Sequence, residues 1–143
     1  MSRYLAREAA FLVVFEHSFQ PEQPVASLIR TFYENEEFKS IEGQKAYFET
    51  VVAGVLAHEQ ELEELIERHA CQWKKGRISR TAMAAMKVAM FEMLYCEDVG
   101  PKIAINEAVE ILKKYDMDDT ARFANGVLGG FWREQQATAD GAQ

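Results

Sequence analysis

One stretch constrains the fold of this chain more than any other. Between Arg80 and Cys96, apolar side chains (Met83, Met86, Val88, Met90, Phe91, Met93, Leu94) occur nearly all the way round a helical wheel. A helix with so little polar surface has to be covered on every side by other elements. The Met residues suit that role, since Met fills irregular gaps in a core, and no His or Cys completes a soft-metal site among them.

The covering elements also read as helices. Three prolines (Pro21, Pro24, Pro101) and eight glycines punctuate 143 residues, and the stretches between them repeat apolar residues every three to four positions. Segment 3–18 does so at Leu5, Ala9, Leu12 and Phe15/Phe19, and Pro21 and Pro24 break it. Segment 25–38 places Leu28, Ile29, Phe32 and Tyr33 on one side. Segment 41–70 carries a stripe from Phe48 to Ile66, with a polar run from His58 to Glu61 as the expected break between two helices. After 80–96, Pro101 suits the first turn of a helix over 102–115, with Ile105, Ala108, Val109 and Leu112 inward and Glu110 set to pair with Lys114. The last helix is expected over 120–134, with Phe123, Val127, Leu128 and Phe131 inward, and 135–143 as a frayed polar tail. No segment pairs strand alternation with turn chemistry. The class is all-α, with about six to seven helices whose short links favour antiparallel neighbours.

Composition excludes several alternatives. A hydrophobic content of 48% is too high for a mostly disordered chain. A chain of this length buries roughly 70% of its unfolded surface without needing metal or disulfides. No apolar run approaches the ~18–20 residues of a membrane span. The first residues lack the shape of a secretory signal, because Arg7 and Glu8 interrupt them. Cys71 and Cys96 read as reduced thiols.

The formal charge of −7 weighs against a nucleic-acid partner only if it is uniform, and it is not. Acids dominate from Glu34 to Glu67, whereas Arg68 to Phe91 contains Arg68, Lys74, Lys75, Arg77, Arg80 and Lys87 with no acid. Arg3 and Arg7 begin the chain with no acid before them. Screening over ~8 Å makes local charge matter more than the total.

Catalytic signatures are missing. There is no phosphate-cradling glycine loop, no GxGxxG, no HExxH and no GxSxG. Glu59, Glu63 and Glu67 share a helical face without the His a di-metal site needs. The chain reads as a non-enzyme without cofactor. Two stretches stand out instead: residues 103–115, and Phe123 to Leu128, where Asn125 and Gly126 are poor helix formers inside a helix.

The motifs A-I-N-E-A-V-E-x-x-K-K-Y (104–115) and F-x-N-G-V-L (123–128) closely resemble the bacterial transcription antitermination factor family NusB. A-R-E-x-A at 6–10, Y-F-x-x-V-V-A-G-V at 47–55, Trp73, and Lys87 to Met93 are similar to the family in the same order. The resemblance implies a single NusB-like domain over 1–134, with an N-terminal helical bundle over about 1–70 and a C-terminal one over about 71–134. It implies a cytoplasmic factor that binds boxA-type single-stranded RNA together with the ribosomal protein NusE. That pair joins an RNA polymerase antitermination complex supporting ribosomal RNA transcription. Homodimers occur among NusB-like proteins, and the resemblance leaves monomer and homodimer both open.

Carried over residue by residue, the resemblance implies RNA contacts at Arg3, Arg7, Lys102, Arg122, Phe123 and Asn125. It implies protein-partner contacts at Arg80 and Lys87. The chain departs from the family's pattern at three places: a thin basic N-terminus, Ala82-Met83 in place of an acid–base pair, and Gly129 in place of an acid. These departures motivate a second reading, a helical protein-interaction module of the same fold with weakened or lost RNA binding.

Overall fold

Prolines and a polar break set the helix boundaries. The computed structural model describes residues 2–73 and 77–141. Helix α1 spans Ser2–Phe19 and ends just before Pro21; Pro24 then caps α2, Val25–Glu34. A 3-10 segment follows over Glu36–Gln44, so α2 stops short of the expected 38 and α3, Lys45–Ala57, starts later than 41. The expected interruption falls at His58, whose amide closes the end of α3 on the Gly54 and Val55 carbonyls. Helix α4 is Glu59–Ala70, and a 3-10 turn covers Cys71–Trp73. Helices α5 (Arg80–Tyr95), α6 (Pro101–Tyr115) and α7 (Asp118–Gly141) complete the chain. Among the described residues there is no strand, and no helix is long and apolar enough to cross a membrane. Cys71 and Cys96 are not joined in a disulfide. Lys74 and Lys75 of the basic stretch lie outside the described residues.

The chain divides into two compact units, Met1–His58 and Glu59–Gln143. This boundary comes earlier than the expected one near residue 70, because α4 packs on α5 and α7. Residues 135–141 continue α7 as helix, with exposed side chains as far as Ala139.

In the first unit α1 packs against α2, α3 and the 3-10 segment, and this coverage buries more than one stripe. Ala6, Ala9, Ala10, Phe11, Val13 and Val14 are buried, whereas Leu5, Leu12 and Phe15 are half-buried and Phe19 is exposed. The predicted α1 stripe is therefore rotated, and Ala9 is its one member in the core. Phe48, Val51, Val52 and Val55 of α3 and Leu28 and Phe32 of α2 are buried as expected. Tyr33 donates a 2.5 Å hydrogen bond to Glu49; burial first, and then this bond, hold its phenol well above the usual range.

The second unit is built round α5, where every residue from Ala84 to Glu92 is buried. Helices α4, α6 and α7 all pack on it. The inward residues of α7, Phe123, Val127, Leu128 and Phe131, are buried as expected. Between α4 and α7, Arg68 pairs with Glu134 at 2.5 Å and His69 meets Phe131 edge-on. The His69 Nδ1 lies 2.9 Å from the Leu65 carbonyl, and its Nε2 is 3.4 Å from Glu134. Glu110 pairs with Lys113 at 3.5 Å, and the Lys114 ammonium lies over the Tyr115 ring.

A polar knot joins three helix ends. The Ser79 hydroxyl caps α5 by accepting from the Ala82 amide, and the hydroxyls of Ser79 and Thr81 donate to Asp116, the C-cap of α6. Burial raises the Asp116 carboxyl, but hydrogen bonds from Thr81, the Met117 amide, Thr120 and Ser79 together outweigh it and hold the group below the usual carboxylate range. A depressed folded value means that the ionised carboxylate stabilises the fold above the unfolded value of ~3.9 and stops doing so as pH falls through the folded value. Comparing unfolding of the parent chain with Asp116→Asn should therefore show a stability gap at neutral pH that closes in acid. A gap independent of pH would mean that the charge of Asp116 has no part in it.

Candidate nucleic-acid interface

The α6–α7 hairpin forms one wall of an open groove of about 700 Å³, lined by Trp73, Asn106, Val109, Lys113, Asp118, Ala121, Arg122, Asn125 and Gly126. The sequence dictates its form. Helices joined by so short a link run antiparallel, which sets Lys113 near the start of α7 and Asn106 about two turns away along α6. The cations Lys113 and Arg122 thus gather toward the α6–α7 turn. The amides of Asn106 and Asn125 lie further along, beside Trp73 and Gly126.

Gly126 explains the mid-helix rule violation. A Cβ built there would fall inside the Trp73 indole, so only glycine lets that ring lie on the α7 backbone. The indole also meets Phe123 edge-on at 6.2 Å and 88°. It nevertheless remains 45% exposed.

The predicted RNA residues fall into different settings. Arg122 and Asn125 are exposed and line the groove. Arg122 pairs with Asp119, an ion pair so exposed that it holds the guanidinium weakly. Lys102 is exposed at the start of α6, outside the groove lining. Phe123 is only 4% exposed, so its ring packs in the core beneath Trp73 and offers no face for stacking.

In the first unit, Arg3 donates to Gln44 at 2.5 Å and its guanidinium lies 4.0 Å from the centre of the Tyr47 ring. Arg7 lies 5.5 Å from the same ring and is buried. Arg3 keeps partial exposure, whereas Arg7 has little surface to offer a ligand.

The predicted protein-partner residues also separate. Arg80 is exposed at the first turn of α5. Lys87 is buried, and its ammonium lies 2.8 Å from Glu59 and 3.3 Å from Glu63 of α4. Its charge is satisfied inside the second unit and is not presented at a surface.

With this geometry in view, the sequence model of the NusB family matches residues 5–133. The chain belongs to the NusB family. The transcription antitermination protein NusB of Desulfotalea psychrophila is 38% identical over 129 residues, covering 88% of this chain and 92% of that protein. Among solved structures, T. maritima NusB superposes with a TM-score of 0.80 at 24% identity, covering 92% of this chain and 91% of that one. The crystal structure of the antitermination factors NusB and NusE in complex with double-stranded RNA gives a TM-score of 0.74 at 22% identity, covering 93% and 97%. These two structural likenesses establish the NusB fold.

The two motifs that carry the NusB resemblance are the two helices of the groove. A-I-N-E-A-V-E-x-x-K-K-Y is α6 from Ala104 onward, and F-x-N-G-V-L is the second and third turns of α7. Sequence reasoning missed Trp73, Asn106 and Lys113 as groove residues. For Asn106 and Lys113 a signal was present, since both lie in the α6 motif on the Val109 side. For Trp73 the signal is a lone indole directly before Lys74-Lys75-Gly76-Arg77.

Proposed function

We propose that this chain is a cytoplasmic transcription antitermination factor that binds boxA-type single-stranded RNA together with the ribosomal protein NusE, and that it acts by binding alone, with no catalytic step. The NusB family membership over residues 5–133 carries the reading. The groove supports it locally, because cations at one end and amides at the other match a phosphate backbone with unstacked bases. The roles proposed are phosphate contacts for Lys102, Arg122 and Arg3, and a base-edge contact for Asn125. Arg80 remains the candidate contact for NusE. The assembled pair would join RNA polymerase to support ribosomal RNA transcription.

Of the predicted RNA contacts only Arg3, Lys102 and Arg122 are accessible cations, so RNA affinity should be modest alone and should rise with NusE. With about three phosphates neutralised and a single-strand coefficient of about −0.7 each, the slope of log affinity against log salt should be about −2. Gel shifts with a boxA-type RNA, with and without the cognate NusE and across a salt series, test this. Folded protein that binds no RNA in either condition would overturn the reading.

One observation favours the second reading, an interaction module with weakened RNA binding. The basic N-terminus is thin, and Arg7 is buried against Tyr47. Capture of NusE that is indifferent to RNA, with no shift of RNA by the pair, would select it.

A further inference from the structure

Trp73 is held on two sides and open on a third. It meets the Phe123 ring at a right angle, it lies on the backbone at Gly126, and nearly half of its surface stays exposed along the groove. A ring needed only to cover Phe123 could be smaller, and Gly126 would not have to give up a side chain to seat it. We infer that Trp73 is a stacking platform for one unpaired nucleobase, whose edge is met by the amides of Asn106 and Asn125 and whose phosphates lie toward Lys113 and Arg122. This rests on the antitermination reading and names the subsite through which the RNA would be held.

The groove chemistry selects a nucleobase over other occupants. An indole anchored against Phe123 and Gly126 that is still 45% exposed is already positioned for a base, and stacking on it tolerates any base. Side-chain amides supply both a donor and an acceptor to a base edge. The apolar lining, Trp73, Val109, Ala121 and the Gly126 backbone, is interleaved with Asn106, Lys113, Asp118, Arg122 and Asn125, a pattern that suits a base carried on a charged backbone. A free anion is disfavoured by Asp118, which lines the same end as Lys113 and Arg122. A strand of RNA can set its phosphates against the two cations and away from that carboxylate.

The test uses the full chain with cognate NusE and a labelled boxA-type RNA, read by fluorescence anisotropy. Trp73→Leu is expected to weaken binding about 5- to 100-fold, and Trp73→Phe to retain most of it. A series of RNAs, each lacking one base, is then bound to the parent chain and to Trp73→Leu. At one position base removal should weaken the parent chain but leave Trp73→Leu unaffected, because the contact is already gone. As a check independent of the Leu variant's folding, a Trp132→Phe chain leaves Trp73 as its sole tryptophan, and its fluorescence should be quenched by the RNA. Unquenched fluorescence, or a Trp73→Leu loss equal across every abasic RNA, would overturn the stacking role while leaving the antitermination reading intact. A parent chain that binds none of the RNAs with NusE present would overturn both.

Discussion

Replacing Glu59 and Glu63 together by glutamine is expected to destabilise the chain by about 3 kcal/mol, read from urea or thermal unfolding. Lys87 lies in the middle of α5, with its side chain 4% exposed, and its ammonium reaches both carboxylates of α4. The two acids are 31% and 44% exposed. The pair is therefore asymmetric: removing the acids strands a cation that has no water to turn to, whereas removing the cation leaves acids that can rotate into solvent. Lys87→Met should cost less than about 1 kcal/mol, since it fills a similar volume and leaves only the weak repulsion of two half-exposed acids at i,i+4. The triple variant should fall near Lys87→Met, which a mutant cycle would report as a large coupling. If Lys87→Met costs as much as the double glutamine variant, the buried charge is not what ties α4 to α5.

The same ion pair shows why one part of the molecule was readable in the sequence and another was not. Helix existence followed from periodicity. The all-round apolar stretch became the central α5, the polar run at His58 became the α3–α4 break, and Pro101 opened α6. These are local effects of side-chain spacing and backbone chemistry. The grouping of helices was less legible, because α4 joins the second unit through contacts distant in sequence, including that between Lys87 and Glu59. A lone Lys in a motif gives no sign whether its charge faces solvent or a helix packed above it.

The candidate site divides in the same way. Arg122 and Asn125 were readable because their motif breaks helix propensity at Asn125-Gly126, and that break does mark the groove. Phe123 was readable only as an aromatic; its burial depends on Trp73, which arrives from a 3-10 turn far back in the chain. The tail was legible in composition and not in backbone form. Its small polar residues lack an inward stripe, yet they continue α7, since a helix already nucleated propagates at little cost through exposed residues.

Gly126→Leu is the substitution expected to damage fold and groove together. Any Cβ at this position overlaps the Trp73 indole, which cannot shift away without losing its edge contact to Phe123. The expected destabilisation is about 2 kcal/mol, typical of overpacking, even though leucine is the better helix former by up to ~1 kcal/mol. Gly130, one turn further along α7, supplies the control. A Cβ there meets only the side chains of Arg133 and His69, both at 3.9 Å, an ordinary contact distance. Gly130→Ala should therefore stabilise the chain by about 0.5–1 kcal/mol through helix propensity. The two variants separate steric demand from backbone preference: the same helix should lose stability at one glycine and gain it at the other. If Gly126→Leu also removes RNA binding while Gly130→Ala preserves it, the seat of Trp73, and not the general stability of α7, governs the groove. If both variants melt above the parent chain, Trp73 does not lie on Gly126 in solution, and the groove has no aromatic wall.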